Sequence, residues 1–320
     1  MNYEGQICRA PMERSSYMLP IMVGCSYNSC RFCNLFRHLK FRALPMEEIE
    51  AECARVEAVG GSPKRIFLGD GNAFVFSAEY LLEIIERVRK HFPEVREFRM
   101  DATVQSVLAK TDKELSALAR AGVSHLYLGI ESGLEDVLLF MNKGNTLAEA
   151  EEAIRRLHLA GIEYDAHIMT GIAGKGRGLE NASALAEFLN RTKPAHIVNF
   201  SLFLHEEVPL YEEVKRGAFR QADELETLRE ERYLIELLAA KGECEFQYDG
   251  FHDFIEVRTR GALPRDREKM LRHLDEVIAA YEKKAPVYSV VCGQCPDVRK
   301  SETGEELWNM TDRKDMLQEA

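Results

Sequence analysis

Six short apolar runs, each followed by a helical stretch or a polar loop, recur between about residues 15 and 205. The runs are "YMLPIMVG" (17–24), "KRIFLGDG" (64–71), "EFRMDA" (97–102), "SHLYLGIESG" (124–133), "EYDAHIMTGIAGKG" (163–176) and "HIVNFSLFL" (196–204). Between them lie "PMEEIEAECARVEAVG" (45–60), "SAEYLLEIIERVRKHF" (77–92), "TDKELSALARAG" (111–122), "TLAEAEEAIRRLHLAG" (146–161) and "NASALAEFLNRTK" (181–193). These carry apolar residues at helical spacing, with Pro, Ser or Thr near the start of most and Gly after the first, third and fourth. Strands apolar on both faces must be covered on both, and strands joined by helices pair in parallel. The pattern therefore predicts an α/β fold, a partial (β/α)6 parallel barrel, over residues 1–205. An eight-stranded closure would need two more such units, and residues 206–320 do not supply them clearly. That extension reads as a long charged helix (222–241), an extended segment (244–260) and a helix (264–284), so it is expected to be mostly helical.

Directly after the first run, Cys25, Cys30 and Cys33 form a C-x4-C-x2-C group. In α/β barrels the loops at the carboxyl ends of the strands carry the chemistry, so position and residue type agree. Soft thiolates select zinc, cuprous copper or iron–sulfur clusters. A four-iron cluster held by three cysteines keeps one iron open to a small ligand. A Cys3His zinc site with His38 is an alternative, although structural zinc sites often join two ligand pairs and none is seen here. Three unliganded thiols are the remaining alternative. Cys292 and Cys295, in "CGQC", are a possible auxiliary metal pair with Cys244 or Cys8, or a pair of reduced thiols. Cys53 sits on a helical core face and reads as packing.

Charge and length narrow the partners. With 53 acidic against 42 basic side chains the formal net charge is −11, which argues against nucleic acid as the main ligand. No apolar run reaches the ~18–20 residues that span a bilayer, and no signal peptide is seen, so a cytoplasmic protein is expected. In that compartment cysteines serve as ligands or thiols rather than as a disulfide framework.

The loops after later strands extend the pattern. "LGDGN" (68–72), "GIESG" (129–133) and "TGIAGKG" (170–176) all fall at strand ends. With the cysteines, these stretches resemble the radical SAM superfamily, in particular the subgroup of oxygen-independent coproporphyrinogen oxidase, tRNA methylthiotransferases and the Elongator catalytic subunit. The resemblance covers roughly residues 15–220. Phe32 matches the aromatic residue before the last cysteine. Gly69, Asp70 and Gly71 match a Gly-Gly-Glu-like turn, with Asp in place of Glu. Gly129, Ile130, Glu131 and Ser132 match the strand-four motif, and Lys143 follows Glu131 by twelve positions. "LFLHEEVPLYEEVKRGAF" (202–219) matches the exit from strand six. The family spacing is C-x3-C-x2-C, so the turn Ser26–Ser29 carries one extra residue.

The resemblance implies a [4Fe–4S] cluster on Cys25, Cys30 and Cys33, with S-adenosylmethionine (SAM) chelated to the open iron. It implies reductive cleavage of SAM to a 5′-deoxyadenosyl radical that abstracts hydrogen from a substrate. The methionine ammonium falls to Gly69, Asp70 and Gly71, ribose hydroxyls to Glu131, the carboxylate to Lys143, and adenine to Phe32 and Ile168; Ser132 and His167 are further candidate SAM contacts. Each has a plainer reading: Glu131 as a helix cap, Lys143 as a solvated helix-end lysine, Asp70 as turn chemistry, His167 and His205 as core histidines. Arg99 and Asp101 alternate with Met100, so either an inward contact or an exterior salt bridge is open. A small-molecule or peptide substrate and a one-electron donor such as flavodoxin or ferredoxin are the expected partners. The rival of a different class is a non-catalytic iron–sulfur or zinc-binding protein.

Overall fold

The computed structural model describes residues 4–5, 8–239 and 245–291. The chain divides into two compact units, Met1–Ile130 with Asn142–Ala166, and Glu131–Met141 with His167–Ala320.

In the first unit the predicted alternation is realised as β1 (Tyr17–Pro20), α1 (Met46–Ala58), β2 (Arg65–Gly69), α2 (Ala78–His91), β3 (Glu97–Ala102), α3 (Asp112–Arg120), β4 (Val123–Glu131, its last residue passing into the second unit) and α4 (Leu147–Ala160). The helices start where side chains can satisfy their free N–H groups. Ser77 caps α2, and Thr111 and Thr146 form reciprocal capping boxes with Glu114 and Glu149. Helix α4 stops at Gly161, which adopts a left-handed φ of 79°. Strands β1 to β4 pair in parallel in sequence order.

Period-2 geometry sorts the residues of β3. Phe98, Met100 and Ala102 are buried on one face, and Arg99 and Asp101 fall on the other. Register places Arg99 opposite Phe67 and Asp101 opposite Tyr127. On that face Met18, Phe67 and Tyr127 pack with Ala10 of the N-terminal segment. Arg99 is therefore committed to structure: it pairs with buried Glu13 at 3.1 Å and with Glu97 at 2.7 Å. Tyr127 donates its hydroxyl to Glu13 at 2.6 Å. Tyr127→Phe is expected to destabilise the chain by about 1.5–3 kcal/mol, the value of a hydrogen bond to a charged group. Urea denaturation at neutral pH reads this.

Strand β5 (Glu163–Thr170) begins in the first unit and ends in the second. The second unit continues with α5 (Gly178–Thr192), β6 (His196–Ser201), α6 (Glu224–Leu237), β7 (Phe246–His252), β8 (Val257–Leu263) and α7 (Arg267–Tyr281). The helices α6 and α7 match the two read from the extension. The extended segment becomes two strands, β7 parallel to β6 and β8 antiparallel to β7. Strand β7 carries Asp249, whose carboxylate accepts from His196 at 3.0 Å and from Arg258 at 2.7 Å.

Helix α6 is rich in charge, yet Glu224, Glu230 and Glu231 are almost wholly buried. Buried charge persists only when paired and hydrogen-bonded. His252 at the end of β7 supplies the pairing, with Nδ1 2.9 Å from Glu224 and Nε2 3.1 Å from Glu231. Tyr248 donates to Glu231 at 2.9 Å, and Ser289 donates to Glu224. Among the described residues no helix is long and apolar enough to cross a membrane.

Candidate functional site

The cysteine segment is closed at its base, because the short strand Met22–Val23 pairs antiparallel with Arg42–Ala43. Between them Cys25, Cys30 and Cys33 are half-buried thiols, none in a disulfide, and Phe32 is half-buried beside them. Arg37 grips the loop from within, donating to the carbonyls of Cys33 (2.7 Å) and Cys30. Among the described residues no three His, Cys, Asp or Glu side chains already stand in metal-binding geometry. The donor set nonetheless suits an iron–sulfur cluster: three soft thiols within nine residues, none in a disulfide.

The turn with the additional residue is anchored at each of its four positions. Ser26 accepts from Asn72 Nδ2 at 3.1 Å. Tyr27 donates to the carbonyl of Asn142 at 2.6 Å, and Asn142 Nδ2 donates to the carbonyl of Ser29 at 3.0 Å. Asn28 takes a left-handed φ of 44° and donates to the carbonyl of Phe36 at 2.9 Å.

Two predicted cofactor segments meet this turn within the first unit. Gly71 has φ 43°, and a Cβ on it would lie 2.6 Å from the Gly24 carbonyl oxygen and 3.1 Å from Cys25 Cα. The glycine is required by both dihedral and contact. Lys143 is half-buried in the turn Asn142–Gly144, where a Cβ on Gly144 would strike the Tyr27 hydroxyl at 2.6 Å. Burial and Cys30 raise the Tyr27 phenol, while Lys143 lowers it.

Of the Gly69–Asp70–Gly71 turn, the Gly69 carbonyl accepts from the Ile21 amide at 2.5 Å. Asp70 is 4% exposed and accepts from the Cys8 amide at 3.3 Å, a distant partner rather than a local turn amide. Burial raises its carboxyl to about 6, against that hydrogen bond. Asp101 is pushed up to about 8 by burial and by the nearby acids Asp70 and Glu13. The Cys8 thiol is held far above its usual range by burial, then by Asp101 and Asp70, so it stays protonated.

In the second unit Glu131 is buried and holds a left-handed φ of 63°, costly for a residue with a Cβ. It does not cap the next helix: Glu135–Phe140 has Leu134 at its N-cap and no side-chain cap bond. Ser132 is fully buried and donates to Asn181 Oδ1 at 2.6 Å. Ile168 is fully buried on β5, and the His167 ring meets Phe200 edge-on at 6.0 Å. His205 is half-buried against Phe203, with burial lowering its basicity. Cys53 is 1% exposed on α1, as its spacing predicted. Cys244, Cys292 and Cys295 lie outside the described residues.

Tyr27, Asn72, Asn142 and Asn181 had no local signature, because their partners lie up to 115 positions away and spacing could not have found them.

The Radical SAM superfamily profile matches residues 19–189. The heme chaperone HemW of Lactococcus lactis is 22% identical over 190 residues, covering 59% of this chain and 49% of that protein. The tRNA-2-methylthio-N(6)-dimethylallyladenosine synthase of Anaeromyxobacter sp. is 25% identical over 299 residues, covering 88% of this chain and 62% of that one. The chain thus spans less than two thirds of either relative. Among solved structures, the coproporphyrinogen III oxidase HemN of Escherichia coli aligns with a TM-score of 0.56 at 13% identity, covering 71% of this chain and 52% of that one. Methylornithine synthase (PylB) aligns with a TM-score of 0.52 at 17% identity, covering 71% and 62%. At these identities the two structures speak for the fold.

Proposed function

The chain belongs to the radical SAM superfamily, whose enzymes use a [4Fe–4S] cluster and S-adenosylmethionine, and from that membership we propose that it binds both and cleaves SAM reductively. Cys25, Cys30 and Cys33 would hold the cluster. Held there, a reduced cluster would supply the electron for cleavage of the sulfonium C–S bond, so that a 5′-deoxyadenosyl radical would abstract hydrogen from a small-molecule or peptide substrate. Cys292 and Cys295 stay a candidate auxiliary metal pair.

The observation that carries this reading is the bracing of the cysteine turn by two other segments, the strand-two turn through Gly71 and Asn72 on one side and Asn142 on the other. A carrier or a zinc module needs the thiols alone. An enzyme must hold its SAM contacts in fixed relation to them.

The chain's own residues then divide the work. Arg37 fixes the carbonyls of Cys30 and Cys33 and so the shape of the loop. Gly69, Asp70 and Gly71 receive the methionine ammonium, and Lys143 receives the carboxylate as a point charge. The family resemblance assigns ribose hydroxyls to Glu131, adenine to Phe32 and Ile168, and further SAM contacts to Ser132 and His167. Burial of Asp70, Glu131 and Ile168 keeps water from those positions. The cofactor residues all fall within 1–205, and 206–320 forms the extension. A cytoplasmic oxidoreductase served by flavodoxin or ferredoxin completes the proposal. The net charge of −11 favours a small-molecule or peptide substrate over RNA.

Anaerobic reconstitution with iron and sulfide, followed by reduction with SAM, tests the reading. Formation of 5′-deoxyadenosine above a Cys30→Ala control is expected. Equal yields from the two would sink it.

A further inference from the structure

We propose that Glu230, on α6, is a positioning residue that sets the Glu131–Gly133 turn for SAM through a relay at Asn181. The proposal rests on the assignment of Glu131 and Ser132 to SAM made above.

Every contact of the relay lies in the second unit. Glu230 is 1% exposed and gives each carboxyl oxygen to a different donor. Oε2 accepts from the amide of Gly171, at the end of β5, at 2.8 Å. Oε1 accepts from Asn181 Nδ2, on α5, at 2.7 Å. Asn181 is itself fully buried, and its Oδ1 accepts from the Ser132 hydroxyl at 2.6 Å and the Gly133 amide at 3.2 Å. The Ser132 hydroxyl in turn accepts from the Leu134 amide at 3.1 Å. Glycines make room for the relay. A Cβ on Gly178 would meet Glu230 Oε2 at 2.9 Å, and one on Gly133 would lie 2.4 Å from the backbone of Ala184 and Leu185.

Polarity runs one way along this chain. The carboxylate fixes which end of the Asn181 amide faces it, and that leaves the amide oxygen for Ser132 and Gly133. The turn so held is the one in which Glu131 adopts a strained left-handed φ, a conformation that persists only when its surroundings over-determine it. Burying an acid is costly, and burial pushes Glu230 up to about 8, with the two donors opposing. A glutamine cannot copy the arrangement, since its NH2 would face either Gly171 N–H or Asn181 NH2. Exchanging the two side chains, Glu230→Gln with Asn181→Asp, can copy it. In that double swap the glutamine on α6 accepts from Gly171 and donates to the aspartate on α5. The aspartate still accepts from Ser132 and Gly133.

The test compares wild type, Glu230→Gln, Asn181→Asp, the double swap and Glu131→Ala, as full chains at pH 8.5, where the carboxylate prevails. Two quantities are read: the Kd for SAM of the reconstituted protein, and hydrogen exchange of residues 131–134 and 171 in the metal-free chain. Each single swap is expected to weaken SAM by roughly tenfold, the value of one buried hydrogen bond, and to speed exchange at those amides. The double swap is expected to recover both. Should Glu230→Gln fail to fold, Asn181→Asp against the double swap decides by the same two readings. Single swaps that leave the exchange of these amides unaltered, or a double swap no better than either single, overturn the relay. A Glu131→Ala protein with unchanged SAM affinity overturns the SAM assignment instead, and the exchange data still judge the relay.

Discussion

Replacing His252 by alanine is expected to cost about 3–5 kcal/mol of stability, the penalty for leaving a buried charge without its partner. Glu224 and Glu231 both point at this imidazole, and the side chains of all three are at most 2% exposed. The pH dependence carries the sign. Burial alone would push the imidazolium down, but the hydrogen bonds of Glu224 and Glu231 outweigh it and raise His252 to about 10 from an ordinary 6.5. Between those values the folded chain holds a proton that the unfolded chain has released. The contribution is therefore full below about pH 6.5 and is lost as pH rises through about 10. Urea denaturation at pH 6, 8 and 10 should show that decline in wild type, and the His252→Ala chain should lack this component. A wild-type chain equally stable across the window would mean that the triad is not charged as described.

Gly71→Ala is the second large effect, and it falls on the cofactor. The left-handed dihedral costs an alanine about 1–2 kcal/mol. The larger consequence is steric, because the new methyl must displace the Gly24 carbonyl or the backbone of Cys25. Both belong to the cysteine loop, so the expected result is a folded chain that retains little iron after reconstitution and desalting. Iron analysis beside a circular dichroism melt separates this from simple unfolding. Iron retention at the wild-type level would show that the strand-two turn does not shape the loop.

How much of this was legible depended on the range over which each feature is encoded. Strands β1 to β6 and helices α1 to α5 were readable because their periods of 2 and 3.6 are local, and the caps at Ser77, Thr111 and Thr146 are written in the adjacent residues. The cysteine group was readable for the same reason. Helix α6 was legible as a charged helix, but the burial of three of its glutamates was not, because they are neutralised or hydrogen-bonded from β7, α5 and the end of β5. Strand β7 was seen only as an extended segment. Asp249 and Gly250 interrupt its apolar run, and their reasons lie elsewhere: Asp249 pairs with His196 and Arg258, and a Cβ on Gly250 would collide with Glu231. For Arg99, both the inward and the exterior reading were open until the N-terminal Glu13 was seen beside it.

The bracing of the Ser26–Ser29 turn by Asn142 also sets a clock. Tyr27 and Asn142 are separated by 115 positions, so a chain leaving the ribosome has all three thiols of its loop long before the residue that fastens them exists. At ~5–20 residues per second the interval from Cys33 to Asn142 is roughly 5–22 s. Metal insertion into the finished shape of the loop is thus a late event in the life of the nascent chain. During that interval the cysteines depend on the reducing power around them, and not on their own fold, to stay unoxidised.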